Sequence, residues 1–479
     1  MTNYDRRNFL KLTGASMLSV MAGCSSTKVA STKKRLPNIV FVLADDLGWA
    51  ELGCYGQKKI KTPNIDKLRT QGMKFTQHYS GNPVCAPSRC SLMTGLHTGH
   101  AQIRGNRQVG GAEGWKIGAT TGGQWPITAD TVTIPKLLKQ KGYATGAFGK
   151  WGLGIVGSEG DPQKQGFDHF FGYICQRQAH TYYNTHLWDD GKVYQIPENA
   201  NGQEKVFTHD LIANKSLDFV KKYKDQPFFC YVPFTIPHVS VQCPEDSTKE
   251  YLGKFPEKPF PGDSLYVPSE TPHATYAAMI TRMDGDVGRL MKLIKDLDLE
   301  NDTIFIFTSD NGSANNGGAD LAFFEGVGPL NAFKGSVYEG GIRIPLIVRW
   351  PGKVKANSTS DHVSAFWDFL PTFTDVTGVK TPTDIDGISM LPTLTGKGKQ
   401  KQHDHLYWEL GRQQGIRQGD LKAIRIDQGK IKIYNLKNDL GEQNDIADAN
   451  PDLVAKFEKL FVTARTDSEI FKQPKPKAQ

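Results

Sequence analysis

Two pairs of hard oxygen ligands each follow an apolar run of the strand-forming type. Asp45 and Asp46 come directly after the first such run, and Asp310 and Asn311 come directly after a later one. Ligands of α/β sheets bind at the carboxyl ends of strands, so we expect these four side chains to converge there. Three carboxylates repel one another without a cation, and oxygen ligands favour Ca²⁺ or Mg²⁺ over zinc. Capping of the next turn is the alternative explanation for either pair.

The segment CAPSRCSLMTGLHTGH (85–100) places a thiol, a proline and an arginine within about one helical turn. Pro87 suits the first turn of a helix, so Cys85 is predicted to lie at a helix amino terminus. The helix dipole and the free N–H groups there stabilise an anion, which indicates a reactive thiolate beside an anion site. Arg89, one turn further on, can hold an oxyanion with its forked donors.

Strand-like and helix-like runs alternate along the chain and must position these side chains. Apolar runs typical of strands buried on both faces occur at 39–43, 228–234, 303–309 and 344–350. Helical periodicity occurs at 131–142, 209–224 and 273–297. The alternation predicts an α/β fold with a large central mixed, mostly parallel sheet flanked by helices, over residues 38–385. Short alternating runs and a helix at 450–465 predict a small C-terminal α+β subdomain with a short antiparallel sheet, over residues 386–479.

The first residues are typical of an export signal. Arg6 and Arg7 precede a modest apolar run that is too short to span a bilayer and ends at Cys24. We expect residues 1–23 to be a twin-arginine signal with a lipoprotein box, Cys24 to be lipidated, and 24–37 to be a tether. The protein is then a periplasmic or membrane-anchored lipoprotein of a Gram-negative bacterium. Secretion with a free Cys24 thiol and a plain N-terminal helix are the alternatives.

Composition excludes several classes of protein. The 479 residues are 38% hydrophobic and 23% charged, which excludes a disordered chain and a polytopic membrane protein. The net charge of +8 is scattered, and no nucleic-acid-binding motif accompanies it, so an anionic small molecule or glycan is a better partner than nucleic acid. The seven cysteines do not form a disulfide framework whose pairing could be predicted.

Residues 85–89, Cys-Ala-Pro-Ser-Arg, match the Cys-x-Pro-Ser-Arg signature of the type I, formylglycine-dependent sulfatases. The chain resembles the bacterial carbohydrate and aryl sulfatases of this family, which belongs to the alkaline-phosphatase-like superfamily. Further blocks similar to the family's, in the same order, lie at 38–56, 149–154, 308–312, 333–352 and 434–447. The resemblance spans nearly the whole chain beyond the signal, and its motif is specific.

The resemblance implies a mechanism for hydrolysing sulfate esters. A maturation enzyme would oxidise Cys85 to formylglycine (3-oxoalanine), whose hydrate carries two hydroxyls on one carbon. One hydroxyl would attack sulfur, assisted by a bound Ca²⁺ and losing its proton towards Asp310, and the second would later expel sulfate. The ligands implied for the metal are Asp45, Asp46, Asp310, Asn311 and the modified residue 85.

The resemblance also gives roles to basic residues. Arg89, Lys150 and Lys334 would neutralise the charge of sulfate and of the transition state. His238 matches the family histidine near the leaving oxygen, and it or Lys334 would act as general acid.

One position departs from the family pattern. The family block Gly-Lys-Trp-His-Leu-Gly has a histidine that assists sulfate expulsion, and this chain has Gly152 there. His97 or His100 could compensate, although surface or core packing is the plainer explanation for both. Otherwise another group supplies the base, turnover is slow, or the site is rearranged.

Substrate choice depends on loops rich in Arg, His, Tyr and Trp. We nominate Arg104 and His180 as contacts to the leaving sugar, with ordinary loop packing as the alternative. Similarity to bacterial sulfatases of sulfated glycans predicts exo-acting removal of sulfate from a polysaccharide or oligosaccharide. A phosphatase or phosphonate hydrolase on the same scaffold and a weakly active glycan-binding lipoprotein are the competing functions.

Overall fold

The computed structural model describes residues 35–109 and 123–473. The predicted export signal, Cys24 and most of the tether lie outside these residues. The strands, numbered in chain order, are β1 Asn38–Asp45, β2 Met73–Tyr79, β3 Ala144–Lys150, β4 His169–Tyr173, β5 His186–Asp189, β6 Lys192–Gln195, β7 Phe228–Pro237, β8 Thr303–Ser309, β9 Arg343–Arg349, β10 Ser358–Ser360, β11 Ser364–Ala365, β12 Leu406–Leu410, β13 Gln413–Gln418, β14 Leu421–Ile426 and β15 Lys432–Asn435. The α-helices are Pro63–Gln71, Cys85–Thr94, Ile134–Lys139, Thr208–Lys222, Glu245–Thr248, Pro272–Asp296, Leu321–Phe324, Glu339–Ile342, Phe369–Thr377, Leu391–Thr395 and Pro451–Thr463.

The central sheet is mixed and mostly parallel, as predicted. Its strand order is β10-β2-β9-β8-β1-β7-β3-β4-β5-β6, and β11 pairs with β2. The five strands β8, β1, β7, β3 and β4 at its centre are all parallel to one another. Their carboxyl ends therefore lie along one edge of the sheet, where the loops that carry ligands are expected.

Both faces of the central sheet are buried, which explains the continuous apolar runs. In β1, the side chains at 40, 42 and 44 enter one core cluster, together with residues of helices Thr208–Lys222 and Pro272–Asp296. Those at 39, 41 and 43 enter the opposite cluster, with residues of helices Cys85–Thr94 and Phe369–Thr377. A strand with period-two side chains can satisfy both layers only if every position is apolar.

The predicted C-terminal sheet is present as β12-β13-β14-β15, antiparallel throughout. A buried ion-pair network joins it to the central body. Lys422 of β14 lies 2.8 Å from Glu339 and 2.9 Å from Glu442, and the side chains of all three are fully buried. Glu339 also accepts from the Tyr79 hydroxyl of β2 (2.7 Å) and pairs with Arg343 of β9 (3.2 Å). The boundary at 385/386 stays a prediction.

The sequence prediction missed several central-sheet strands and overestimated one helix. β2 and β6 carry polar residues among their apolar ones, so their runs are interrupted. The helix expected over 131–142 is formed only over Ile134–Lys139. Within the described ranges no helix is long and apolar enough to span a membrane, and all six of the cysteines found there are unpaired thiols.

Candidate active site

The ends of β1 and β8 bring the four predicted oxygen ligands together. The strands are in register up to Ala44 and Ser309, and the Asp46 N–H donates to Asp310 Oδ1 at 3.1 Å. Asn311 Nδ2 donates to Asp46 Oδ1 at 2.8 Å. All four side chains are buried. Among the residues that the structure describes, Asp45 Oδ1 and Asn311 Oδ1 have no hydrogen-bond partner.

Two lysines neutralise the aspartates of β1. Lys150, at the end of β3, is fully buried and places Nζ 2.6 Å from Asp45 Oδ2. Lys334 places Nζ 2.7 Å from Asp46 Oδ2, with its side chain 20% exposed. Burial alone would raise the pKa of Asp45, but Lys150 and the neighbouring cations hold that pKa below its ordinary value. Burial also tends to lower the pKa of both lysines, yet the carboxylates raise it, so both remain ammonium ions.

Arg89 neutralises the third carboxylate through a fork of hydrogen bonds. Its Nε and Nη2 donate to Asp310 Oδ2 at 3.0 and 2.8 Å, and Nη2 lies 3.2 Å from Asp45 Oδ2. Nη1 donates to the carbonyl oxygen of Lys150 at 2.5 Å. Burial and the charge of Asp45 raise the pKa of Asp310 to about 7, despite the arginine. Burial also raises the pKa of Asp46, so Asp310 and Asp46 hold a proton more readily than Asp45 does.

The helix Cys85–Thr94 presents Cys85 to the same cluster. It begins after extended Val84 and ends at left-handed Gly95, and all ten of its residues are buried. Ser88 ties the helix to the strand ends: its hydroxyl accepts from the Gly81 N–H at 3.0 Å and donates to the Asp310 carbonyl at 2.5 Å. Sequence reasoning assigned no role to Ser88, although it lies within the signature motif.

The cysteine lies where a metal ligand or nucleophile would be needed. Ligand atoms of Cys85, Asp45 and Asp310 all lie within 4.8 Å of one another. Asn106 Nδ2 donates to Cys85 Sγ at 3.5 Å. Burial raises the pKa of the thiol above its ordinary value, more than the nearby lysines lower it. Burial therefore works against the reactive thiolate that the helix terminus predicts.

His238 follows β7 and lies on the other side of the aspartates. Its Nε2 is 3.8 Å from Asp46 Oδ2, and its Nδ1 is 2.5 Å from the Val239 carbonyl oxygen. Because a carbonyl can only accept, Nδ1 carries the proton. Burial and the charges of Lys150 and Lys334 lower the pKa of His238 well below its ordinary value. The ring is thus neutral, and its Nε2 is an acceptor facing the cluster.

Comparison with known proteins agrees with the geometry of this site. Residues 37–379 match the sulfatase family model, and residues 332–465 match the C-terminal region of N-sulphoglucosamine sulphohydrolase. This chain belongs to the sulfatase family. It is accordingly a sulfuric ester hydrolase.

Relatives of this sulfatase include proteins that are named for a carbohydrate or were solved with one. N-acetylgalactosamine-6-sulfatase of Canis lupus familiaris is 31% identical over 422 residues, covering 84% of this chain and 72% of the relative. Ps i-CgsB, solved in complex with k-i-k-neocarrahexaose, has a TM-score of 0.75 and 27% identity, covering 92% of this chain and 94% of that one. A protein solved with its substrate D-glucosamine-2-N,6-O-disulfate has a TM-score of 0.68 and 25% identity, covering 89% and 96%.

The oxygen cluster of this sulfatase fits a hard divalent cation. The two unpartnered oxygens of Asp45 and Asn311 are buried, and an unpaired buried acceptor is costly unless something occupies it. Carboxylate and amide oxygens are the donors that Ca²⁺ and Mg²⁺ prefer. Since three carboxylates already face three cations, a divalent ion would leave the cluster positively charged, as an anionic sulfate ester requires.

The structure brings His180 to the rim of the site. Its ring centroid is 5.4 Å from that of His238 and 5.1 Å from that of Tyr266. Burial and the charges of Lys150 and Arg177 lower the pKa of His180 to about 4, so the imidazole is neutral. A neutral ring beside an aromatic side chain can stack on a sugar or bond its hydroxyls.

Three other predicted residues are engaged elsewhere. Arg104 is 5% exposed and donates Nη1 to Glu409 (2.9 Å) and to the Thr466 carbonyl (2.8 Å). Its guanidinium therefore joins the segment after Cys85 to the C-terminal region, and the structure does not support its predicted sugar contact. His100 Nδ1 lies 2.9 Å from Asp386 Oδ1, and the His97 N–H donates to Asp386 Oδ2 at 2.9 Å. These histidines are engaged with Asp386 and do not fill the place left by Gly152.

Gln176, to which sequence reasoning assigned no role, does lie at Gly152. Its carboxamide nitrogen is 2.1 Å from the position that a Cβ on Gly152 would take. Gln176 lies 24 positions after Gly152 in the sequence, and glutamine is a common loop residue. Nothing in the sequence alone therefore indicates that its side chain lies next to Gly152.

Proposed function

We propose that this sulfatase removes sulfate groups from the ends of a sulfated polysaccharide or oligosaccharide, using a formylglycine made from Cys85 and a bound Ca²⁺. The observation that carries the proposal is the convergence of three cations and three carboxylates on residue 85. Such a cluster suits a singly charged oxyanion held against a nucleophile. A protein that merely bound glycans would have no need for a proton acceptor beside that nucleophile.

The positions of the basic and acidic side chains suggest a separate role for each of them. Arg89, Lys150 and Lys334 neutralise the sulfuryl oxygens, and Lys334 is the one that reaches the solvent side. Asp310, with its raised pKa, takes the proton that the side chain of residue 85 loses. His238 or Lys334 gives a proton to the leaving oxygen, and because His238 is neutral it must first collect that proton.

Two groups supply chemistry that the twenty amino acids lack. The cation, held by Asp45, Asp46, Asp310, Asn311 and residue 85, would polarise a sulfuryl oxygen and acidify a neighbouring hydroxyl. The hydrated aldehyde of formylglycine would offer a second hydroxyl through which sulfate can be expelled. A maturation enzyme of the host would make this aldehyde.

Carbohydrate specificity is supported by the names of relatives and by the rim of the site. One relative is named for N-acetylgalactosamine, and two were solved with k-i-k-neocarrahexaose and with D-glucosamine-2-N,6-O-disulfate. His180 and Tyr266 form an aromatic pair beside His238, which supports a role for them in stacking on the leaving sugar. Action at chain ends, export to the periplasm and lipidation of Cys24 belong to the same proposal, and mass analysis of the mature N-terminus tests the last two.

The mass of the peptide that contains residue 85 is the first test. Protein made with a maturation enzyme should carry an aldehyde or its hydrate there and release sulfate from sulfated sugars. Cys85→Ala made in parallel should release none. Parallel assays with aryl sulfate and aryl phosphate esters separate a sulfatase from a phosphatase or phosphonate hydrolase. An unmodified thiol in protein that still releases sulfate would refute the formylglycine mechanism, and binding of glycan without sulfate release would indicate a glycan-binding protein.

A further inference from the structure

Five adjacent parallel strands end at the site, and four of them deliver a residue already described. In the order β8, β1, β7 and β3, these residues are Asp310, Asp45, His238 and Lys150. The fifth strand, β4, pairs with β3 up to Tyr173 opposite Lys150. The loop that follows β4 therefore leaves the sheet at the same edge, directly beside Lys150.

Gln176 in that loop fills a space left open by glycine. Gly152 follows Lys150 by two residues, has φ +82°, and donates its N–H to the Ile174 carbonyl at 3.2 Å. A Cβ on Gly152 would lie 2.1 Å from Gln176 Nε2 and 3.2 Å from its Cδ. The carboxamide thus occupies the place in which a side chain at 152 would lie, where the family block has its histidine.

The carboxamide of Gln176 is buried yet unsatisfied. The residue is 6% exposed, and within 35–109 and 123–473 neither Nε2 nor Oε1 has a hydrogen-bond partner. Gln178, two residues further on, shows the ordinary arrangement: its Oε1 accepts from the Ile174 N–H at 2.9 Å and its Nε2 donates to the His186 carbonyl at 3.2 Å. Buried polar groups are normally paired, so the unpaired donor and acceptor of Gln176 call for a ligand.

We propose that Gln176 contacts the substrate in the sulfate-ester hydrolysis proposed above, on which this inference rests. Its Nε2 donates to a sulfuryl oxygen beside Lys150, and its Oε1 accepts from a hydroxyl of the sugar. A carboxamide does not exchange protons at ordinary pH, so Gln176 orients the ester and leaves the proton transfers to Asp310 and to His238 or Lys334. The bound substrate then satisfies both polar atoms that the free protein leaves unpaired.

Gln176→Leu, with Gln178→Leu as the matched control, tests this contact. Leucine keeps the bulk and removes the hydrogen bonds to the substrate. We expect kcat/KM for sulfate ester to fall by about 10- to 100-fold, the factor for one hydrogen bond to a charged group. The thermal midpoint should stay the same or rise, because an unsatisfied buried amide is replaced by an apolar group. Gln178→Leu should lower the midpoint, because it breaks two hydrogen bonds. A Gln176→Leu enzyme within about twofold of wild-type kcat/KM overturns the contact.

A double-mutant cycle tests the position of the carboxamide. Gly152→Ala places a methyl group against Gln176 and also strains the backbone at φ +82°, so it should lower kcat/KM. In a Gln176→Ala background only the backbone strain remains, so the same change should cost less. Equal losses in the two backgrounds contradict the proposed position.

Binding of inorganic sulfate separates failure of this inference from failure of the proposed function. Sulfate should raise the thermal midpoint of the wild-type protein more than that of Gln176→Leu. If the wild-type enzyme hydrolyses no sulfate ester but this difference persists, the proposed function fails and the Gln176 contact stands. Equal midpoint shifts overturn the contact whatever the activity.

Discussion

Replacement of Arg89 by lysine separates the charge of this residue from its geometry. The guanidinium bonds Asp310 through two nitrogens, approaches Asp45 at 3.2 Å and caps the Lys150 carbonyl. A lysine ammonium keeps the positive charge but is a single point donor that cannot reproduce a fork. Because the substitution changes only the arrangement of hydrogen-bond donors, any loss of stability or activity reports the contribution of that arrangement.

The size of the effect follows from the hydrogen bonds that a lysine cannot make. An ammonium can reach one of the two carboxylates, so at least one charge-assisted hydrogen bond to Asp310 or Asp45 disappears. That bond is worth about 1.5–3 kcal/mol, and an unpaired buried carbonyl at Lys150 costs about 1–3 kcal/mol, giving about 4 kcal/mol in all. Because the same guanidinium orients Asp310 and, in the proposed mechanism, faces the sulfuryl group, kcat should fall by about 100-fold or more.

Arg343→Lys provides the matched control. Arg343 is also buried and forked, donating two nitrogens to the Thr76 carbonyl and one to Glu339, away from residue 85. Both variants should lose stability in urea unfolding, and only Arg89→Lys should lose sulfate release per folded molecule. The reasoning is refuted if Arg89→Lys unfolds within about 0.5 kcal/mol of the wild type, an interval of the size expected of ordinary surface substitutions.

Three further predictions concern the metal, the junction of the sheets and pH. Chelation should abolish sulfate release and lower the thermal midpoint, and Ca²⁺ should restore both; full activity in chelator would contradict the proposed cation. Lys422→Met should cost about 3–5 kcal/mol in urea unfolding, because Glu442 then loses its cation in a buried site while Glu339 keeps only Arg343. A cost below about 1 kcal/mol would show that the Lys422 ion pairs contribute little to stability. Burial alone would lower the pKa of His403, but Asp368, 2.8 Å away, raises it above 6.5. The stability from this pair is complete below about pH 6.5 and lost as pH rises through the folded-state pKa, so the thermal midpoint of His403→Gln should fall less than that of the wild type over that range.

The strand ends and their ligands could be predicted because they rest on local pattern. An apolar run that stops at two aspartates indicates both a buried strand and the place where it leaves the core, and the structure confirms this for β1 and β8. The helix at Cys85 was predictable from Pro87 for the same reason. The protonation state of the thiol was not, since its pKa depends on burial, which is a property of the folded chain.

Long-range pairings limited the rest of the prediction. Arg104 and Glu409 are 305 positions apart, and nothing in the loop sequence tells a sugar contact from an ion pair to a distant carboxylate. His100 and Asp386 are separated by 286 positions and present the same difficulty. The sequence shows that Gly152 lacks the side chain of the family histidine. That Gln176 lies next to Gly152 becomes apparent only from the pairing of β3 with β4.

The burial of Cys85 makes its maturation a matter of timing. The residue is 2% exposed, and an enzyme that oxidises a side chain must first enclose it. Opening the buried helix that carries residue 85 costs up to the full free energy of unfolding. A chain that folds before oxidation therefore keeps its unmodified thiol inaccessible to the maturation enzyme. If residue 85 matures as proposed, oxidation and folding compete for each newly made chain. The yield of active enzyme then depends on which of these two rates is faster in the cell that produces it.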